Sequence, residues 1–473
     1  MHLLKLSVTV ALALAAGHAG AATVTLDPHG LGQGLLFPYF TTHNGHSTLL
    51  TVQNTTAQGK ALKVRVLESK DGFETLTFNL YLPGFAKWSG ALTQADGAPD
   101  APASLLPSSP AVGCTTPAMP AGGFELRPYS LDDAQPAANL RTREGYVEVV
   151  EMGTLSAELA QLARDPTQAN CNVFTQRTVQ DGIWSTEPNA DIGAPAGRLR
   201  GSATVLDVAA GTAFSYAAPA FGGLASAARH TGLAVSEQGI AYIDTRPALT
   251  DIVVASDETI DVTVHNPDGV PTTLQYGADE GFYAISALLA TTNTTNDYTV
   301  YPGVRARTEW VVSFPTRHAL HRAFFWPGTP PPGALLAAPF TRDVCESTAL
   351  VAWNEHGVKL DTATSVDICG AVDVVQFGLD GTPVSAQLAL DGDAVIDVPT
   401  PIGSARLDFS KVDERTRAFF GDKNGKCVVG LPAWVMAVQS YDNDNAQEGR
   451  IATFPVSNVS SGPVEVVDCD TLD

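Results

Sequence analysis

Apolar and polar residues alternate along short stretches of the chain, and turn residues separate these stretches. In one of them Leu62, Val64 and Val66 alternate with Lys63 and Arg65. A period of two with one polar face is typical of half-buried antiparallel strands. The pattern therefore predicts a mainly β protein in which Lys63 and Arg65 lie on the solvent face of their strand.

The same alternation recurs in both halves of the chain, and tight-turn dipeptides such as Asn424-Gly425 separate several of the stretches. Helical spacing is recognised at Thr154 to Arg164, where three leucines recur ahead of Pro166. Further strands are predicted at Leu50 to Val52, Leu76 to Leu80, Tyr146 to Val150, Ser202 to Val208, Thr212 to Tyr216, Ile260 to Val264, Trp310 to Phe314, Thr348 to Trp353, Val372 to Phe377, Ala386 to Leu390, Ala405 to Phe409 and Trp434 to Val438.

The amino terminus has the three parts of a secretory signal peptide. Lys5 is followed by an uncharged apolar stretch from Leu6 to Ala16, and then by the small-residue pattern Ala19-Gly20-Ala21. We therefore interpret residues 1–21 as a signal peptide and expect a periplasmic, secreted or cell-surface protein. No later stretch has the roughly 18 apolar residues of a membrane helix, so no transmembrane segment is predicted.

Residues 218–246 are mostly small and polar, and they separate two strand-rich halves. Short strands joined by turns at regular spacing favour β-sandwiches. The sequence thus predicts two immunoglobulin-like β-sandwich units, residues 22–235 and residues 236–473, with one short helix and long loops. The helix and a loop insertion belong to the first unit.

The chain contains six cysteines, all beyond the predicted signal peptide and none in a CxxC pair. An even number of cysteines in an exported protein favours disulfides over a zinc site. Because closing a short loop costs the least entropy, we expect the sequential pairs Cys114–Cys171, Cys345–Cys369 and Cys427–Cys469.

Charge narrows the range of partners. The formal net charge is -22, and only 16% of the residues are charged. Binding to nucleic acid or to an anionic membrane surface needs clustered Lys and Arg, so neither is an expected partner. The oligomeric state stays open.

No catalytic motif is evident, because the patterns GxSxG, HExxH and GxxxxGKS/T do not occur. Glu144 and Glu148 share one face of a predicted strand, but four strand residues span about 13 Å. The two carboxyl groups of a glycosidase are roughly 5–9.5 Å apart. We therefore predict no catalytic residue and favour a non-enzymatic role.

Two aromatic clusters provide the candidate binding residues. Phe37 and Tyr39 open the first unit, and Phe324, Phe325 and Trp326 precede a proline-rich stretch. Aromatic side chains on a stiff loop can contact a glycan or a protein partner. The alternative is that they anchor a loop to the core.

Calcium is the one candidate cofactor. Asp391, Asp393, Asp442 and Asp444 lie in oxygen-rich turns, and calcium prefers oxygen ligands. The EF-hand pattern is not met, so a solvated turn is the alternative for each pair.

A further signal comes from six stretches beyond the signal peptide: Leu36 to Gly45, Leu49 to Thr56, Lys63 to Glu68, Phe78 to Leu82, Thr308 to Thr316 and Cys345 to Trp353. Together with the signal peptide they resemble a family of uncharacterised exported proteins from Gram-negative proteobacteria. The resemblance implies a periplasmic or cell-surface location and brings no activity with it.

These observations predict an exported, non-enzymatic binding or structural protein of the cell envelope, with an envelope protein or a glycan as partner. Two alternatives stay open. One is a secreted hydrolase that acts on an envelope or extracellular polymer, and the other is a calcium-stabilised surface component. A cleft with close carboxylates, or with Ser beside His, would favour the hydrolase.

Overall fold

The computed structural model describes residues 22–94, 100–107, 111–127, 137–232, 245–254, 259–319, 345–380, 387–390, 393–412, 415–419, 421–442, 453–460 and 462–472. Several predictions concern residues outside these ranges. They are the signal peptide at 1–21, the aromatic cluster Phe324, Phe325 and Trp326, and the acidic residues Asp391 and Asp444.

The described residues form a mainly β protein, which confirms the predicted class. The described part of the first half contains fourteen strands: β1 (Ala22–Leu26), β2 (Gly34–Thr41), β3 (His46–Asn54), β4 (Lys60–Glu68), β5 (Glu74–Leu82), β6 (Lys87–Gln94), β7 (Ala103–Pro107), β8 (Cys114–Thr116), β9 (Phe124–Glu125), β10 (Glu144–Leu155), β11 (Ile192–Gly193), β12 (Leu199–Asp207), β13 (Thr212–Ala217) and β14 (Ala220–Gly222).

Shorter strands are more frequent in the second half of the described chain. Its strands are β15 (Ile260–His265), β16 (Pro271–Tyr276), β17 (Ala290–Thr291), β18 (Asn293–Thr299), β19 (Arg307–Ser313), β20 (Cys345–Asn354), β21 (Ser365–Cys369), β22 (Val372–Leu379), β23 (Val395–Val398), β24 (Ile402–Asp408), β25 (Lys411–Val412), β26 (Arg415–Thr416), β27 (Ala418–Phe419), β28 (Lys426–Val429), β29 (Leu431–Pro432), β30 (Trp434–Asp442), β31 (Thr453–Ser460) and β32 (Glu465–Asp468).

The prediction of one short helix is wrong. The described helices are α1 (Ala137–Leu140), α2 (Ala157–Arg164), α3 (Gln168–Thr178), α4 (Ile183–Thr186) and α5 (Gly281–Leu289). The predicted helix at Thr154 starts too early, because Thr154 and Leu155 end β10 and the Ser156 side chain caps α2. The periodicity missed α3, which buries only Phe174, and α5, which is apolar around most of its circumference.

A ten-stranded sheet forms the centre of the fold. Its order is β16-β15-β1-β14-β2-β10-β4-β5-β8, with β11 paired to β10. One face packs against the six-stranded sheet β13-β12-β3-β6-β7-β9, and the rings of Phe78 and Trp88 lie 6.1 Å apart between the two sheets. The large sheet is wider than either sheet of an immunoglobulin domain, so the immunoglobulin-like form stays a prediction.

The second face of the ten-stranded sheet is also covered. Helices α2, α3 and α4 pack over Tyr81 and Met152, while residues 245–253 and the start of α5 lie above Arg65. The prediction that Lys63 and Arg65 face solvent is therefore wrong, because these residues are only 0% and 2% exposed. The alternating pattern distinguishes the two faces of β4, but it does not show that a later segment covers the polar one.

The described part of the second half contains two larger sheets, with the orders β18-β24-β20-β21 and β23-β22-β19-β30-β31, and three small ones, β17-β29, β25-β26 and β27-β28-β32. Tyr298 from the first stacks on Phe377 from the second at 5.2 Å between ring centroids, and Trp310 packs against Phe377 at 5.1 Å. All three side chains are buried, so the two larger sheets share a core.

The two predicted units also share one sheet. Residues Ala22 to Val24 of β1 pair in parallel with Ile260 to Val262 of β15, and one continuous hydrophobic core includes residues from both halves. The halves are thus joined by main-chain hydrogen bonds. The boundary at 235/236 lies outside the described residues and stays a prediction.

Three disulfides confirm the expected sequential pairing: Cys114–Cys171, Cys345–Cys369 and Cys427–Cys469. The first ties α3 to β8 at the edge of the large sheet, and the second joins residues that face each other on β20 and β21. Disulfides are typical of exported proteins, and these three are compatible with export.

Candidate ligand cavity

A buried ion-pair network lies on the face of the large sheet that residues 245–253 cover. The register places Arg65 of β4 directly opposite Glu148 of β10, and the Arg65 Nη1 donates to Glu148 Oε2. Arg65 Nε donates to Glu74 Oε2 at 2.8 Å. Burial lowers the pKa of Arg65, but the Glu148 and Glu74 carboxylates raise it by more. The pKa of Arg65 therefore lies above its ordinary value.

A segment from later in the chain closes over this network. The Thr245 hydroxyl donates to Glu74 Oε2 at 2.7 Å, and the Leu249 backbone N–H donates to Glu148 Oε2 at 3.3 Å. These bonds hold residues 245–253 against the sheet without filling all the space between them.

That space is a cavity of about 510 Å³, which we call the sheet-face cavity. Its polar side is formed by Arg65, Tyr146, Glu148 and Arg229, and its apolar side includes Ile252 and Phe282 from residues 245–253 and the start of α5. Cavities of roughly 300–1,000 Å³ with a few fixed polar groups are typical of small-molecule sites.

Tyr146 lies two residues before Glu148 on β10, on the same face. The side chain is fully buried, and its hydroxyl has no hydrogen-bond partner among the described residues. Burial, followed by the nearby Glu148 carboxylate, raises the Tyr146 pKa well above its ordinary value. The hydroxyl therefore stays protonated.

Arg229 is anchored by backbone rather than by a carboxylate. Its Nε donates to the Glu151 carbonyl at 3.3 Å and its Nη1 donates to the Asp251 carbonyl, while Nη2 is buried without a partner among the described residues. Burial lowers the pKa of Arg229 to about 10, so the guanidinium is still charged at neutral pH. At the rim, the largely exposed Arg246 lies 3.8 Å from Asp251.

Phe37 and Tyr39 are not surface residues, which corrects the interpretation of this cluster as an exposed binding patch. Both are 0% exposed, because β2 lies between β14 and β10 in the middle of the large sheet. The Tyr39 hydroxyl donates to Glu144 Oε1 at 3.0 Å. Phe37 and Tyr39 therefore fit the alternative interpretation, in which the aromatic residues anchor the chain to the core.

The predicted calcium ligands are only partly described. The Asp393 carboxylate accepts the Leu390 backbone N–H at 2.6 Å, and burial raises the Asp393 pKa to about 6. Asp442 ends β30. Among the described residues, no group of three or more His, Cys, Asp or Glu side chains could hold a metal ion.

Glu144 and Glu148 belong to different networks. Glu144 accepts from Tyr39, whereas Glu148 pairs with Arg65. The residues that sequence reasoning missed are Arg65, Tyr146 and Arg229. Opposite charges on neighbouring predicted strands could have indicated the Arg65 pairs, but nothing local distinguishes Arg229.

Compared with protein-family models, with curated proteins and with solved structures, the chain matches none. Within the described part of the chain, the helices are all too short or too polar to cross a membrane. The geometry of the cavity is therefore the basis for assigning a function.

Proposed function

We propose that the chain is an exported, non-enzymatic binding protein of the cell envelope, and that a small ligand occupies the sheet-face cavity. The observation that supports this most strongly is the cavity itself. It measures about 510 Å³, and its polar floor is fixed in advance by the Arg65 ion pairs to Glu74 and Glu148. Preformed polar groups lower the ordering cost of binding.

The cavity also favours binding over hydrolysis. Three carboxylates line the cavity: Glu148, Asp251 and Asp279. Glu148 is engaged by Arg65 and by the Leu249 N–H, and Asp251 accepts the Ala248 N–H and lies 3.8 Å from the Arg246 Nε. A general acid or base needs access to the proton that it transfers, and these two carboxylates are held in structural networks. The secreted hydrolase therefore has less support than the binding protein.

Location is proposed on separate grounds. The signal-peptide pattern, the resemblance to exported proteins of Gram-negative proteobacteria and the three disulfides all support a periplasmic or cell-surface protein. We propose in addition that the sheet pairs in each half are two immunoglobulin-like sandwich units. One scaffold would then carry the cavity and also bind an envelope partner.

The test is to express a tagged copy in a Gram-negative host, fractionate the cells and analyse the recovered protein by native mass spectrometry. We expect the chain in the periplasmic or envelope fraction with a small-molecule adduct. Ala278→Trp, at the partly exposed cavity lining, should remove the adduct. Ala210→Trp, exposed between β12 and β13, is the matched control and should retain it.

Loss of the adduct in both variants, or in neither, would argue against the cavity as the site. Recovery of no adduct and no envelope partner, together with hydrolysis of a panel of envelope polymers, would replace the binding protein by the hydrolase.

A further inference from the structure

The three disulfides differ in their exposure to solvent. Cys345 and Cys369 are both exposed. Each of the other two disulfides has one buried cysteine, because Cys114 is 1% exposed and Cys427 is 8% exposed. Exposed disulfides exchange readily with thiols, whereas buried ones resist reduction. Access therefore distinguishes Cys345–Cys369 from the other pairs.

The strand register explains why this disulfide is exposed. Cys345 of β20 directly faces Cys369 of β21. The adjacent pair in the register, Glu346 and Ile368, is only 2% and 0% exposed. Successive side chains of a strand point to opposite faces of the sheet, so both cysteine side chains lie on the solvent-facing side.

The disulfide also holds the end of an edge strand. β21 is the last strand of its sheet, and it is only five residues long. At its final residue the Cys369 backbone N–H donates to the Asp373 Oδ2 at 2.6 Å rather than to β20. The bond to Cys345 therefore supplies a link to β20 that this N–H does not.

The turn that follows β21 contacts the first half of the chain. The backbone N–H groups of Ala371 and Val372 donate to the Ser69 carbonyl, between β4 and β5. In addition, the Arg317 Nη1 donates to the Gly370 carbonyl at 3.0 Å. The end of β21 that the disulfide holds thus leads directly into a contact between the two halves.

We propose that Cys345–Cys369 is a thiol–disulfide exchange site, which a protein dithiol reduces so that the end of β21 is released from β20. This inference goes beyond the proposed function, because it needs neither the sheet-face cavity nor a ligand in it. The two cysteines are 24 residues apart in sequence, against 57 and 42 for the other pairs. In the chain-entropy model, opening the shortest loop costs the fold the least stability.

The exchange transfers two electrons from the dithiol to the protein. A thiolate of the dithiol attacks one Sγ, the Cys345–Cys369 bond breaks, and the other Sγ leaves as a thiolate that takes up a proton. The second thiol of the reductant then loses its proton and attacks the mixed disulfide, and the remaining cysteine Sγ leaves and is protonated. The products are two protein thiols and the disulfide of the reductant.

Trapping with a thioredoxin-fold protein whose second active-site cysteine is replaced by serine tests the exchange site. This probe cannot complete the exchange, so it stays joined to its target as a mixed disulfide. The unaltered full chain is incubated with the probe at pH 7 without denaturant, free thiols are blocked, and the joined peptides are mapped by mass spectrometry. We expect the mixed disulfide at Cys345 or Cys369, in at least about tenfold excess over the other cysteines.

Hydrogen–deuterium exchange tests the release of β21. After reduction by the unaltered thioredoxin-fold protein, exchange should become faster in a peptide that covers Ser365–Cys369, because local opening of this strand becomes easier. Exchange in β24, a central strand of the same sheet, should not change. The double variant Cys345→Ser/Cys369→Ser should show the faster exchange without a reductant and should not be trapped at either position.

No mixed disulfide, or one that maps to the other four cysteines in equal or greater yield, would overturn the exchange site. Unchanged exchange at Ser365–Cys369 after reduction would overturn the release of β21. Neither result changes the small-molecule adduct expected in native mass spectrometry, so failure of this inference is distinguishable from failure of the proposed function.

Discussion

Lys60 and Glu151 form an ion pair, 2.7 Å from Nζ to Oε1, in which both side chains are 0% exposed. Glu151 also accepts the backbone N–H groups of Ala196 and Gly197 at 2.9 and 2.8 Å. The pair therefore connects β4, β10 and the segment that leads into β12.

Lys60→Met should destabilise the fold by about 3–5 kcal/mol, because it leaves the Glu151 carboxylate buried without its counter-ion. The measurement is the free energy of unfolding in urea at pH 7. Lys426→Met is the matched control, since the Lys426–Asp468 pair has a similar distance of 2.6 Å but side chains that are 41% and 61% exposed. It should cost less than about 1 kcal/mol, and equal losses in the two variants would refute the argument from burial.

Lys63 gives a pH dependence of a defined sign. Its ammonium group is buried without a hydrogen-bond partner among the described residues, and burial lowers its pKa to about 7. Between this value and its ordinary value of 10.5, the unfolded chain binds more protons than the folded one. The contribution of Lys63 to the unfolding free energy therefore rises with pH across that window.

Lys63→Met removes this titration. The unfolding free energy of the unaltered chain, minus that of the variant, should rise from pH 7 to pH 9 by up to about 1.4 kcal/mol per pH unit. Lys87→Met, at an exposed position on β6, should leave the pH profile unchanged. A constant difference between the unaltered chain and Lys63→Met would show that Lys63 titrates normally.

The pH dependence of stability that Glu144 contributes has the opposite sign to that of Lys63. Burial, then the nearby Asp393 and Asp373, raises the pKa of Glu144 to about 8. The folded chain therefore binds more protons than the unfolded one between pH 4.5 and about 8, so the stability associated with Glu144 falls as the pH rises through that window.

Glu144→Gln keeps an acceptor for the Tyr39 hydroxyl but cannot ionise. The unfolding free energy of this variant, minus that of the unaltered chain, should rise between pH 5 and pH 8 by up to about 1.4 kcal/mol per pH unit. Glu158→Gln, exposed on α2, provides the comparison and should follow the unaltered chain. Parallel profiles for Glu144→Gln and the unaltered chain would rule out the raised pKa.

The strands were largely predictable because their signal is local. The alternation at Ile260 to Val264 reports a strand with one buried face, and β15 has that burial pattern. The prediction of a strand at Ala386 to Leu390 is wrong for the described residues 387–390, which form no strand. The backbone N–H groups of 387–389 donate to the buried Glu309 carboxylate, and a carboxylate from a distant strand leaves no local pattern.

The cavity was not predictable for the same physical reason. Tyr146 and Arg229 are far apart in sequence, and both line the cavity because Arg229 bonds to the Glu151 carbonyl of β10 and to the Asp251 carbonyl of the covering segment. In addition, the polar positions of β4 alternate as solvent-facing ones do, although a second layer buries them. Pairing across strands and layers, rather than local period, determines the site.

Hydrogen–deuterium exchange of the full chain, compared between protein recovered with its small-molecule adduct and protein from which the adduct has been removed, tests the central claim most directly. A ligand in the sheet-face cavity should slow exchange in peptides that cover residues 245–253 and the start of α5, because local opening of that wall must release the ligand. The β12–β13 hairpin, on the other sheet, should exchange at the same rate in both samples. Unchanged exchange at residues 245–253, or protection confined to another part of the molecule, would contradict the claim that this cavity is the binding site.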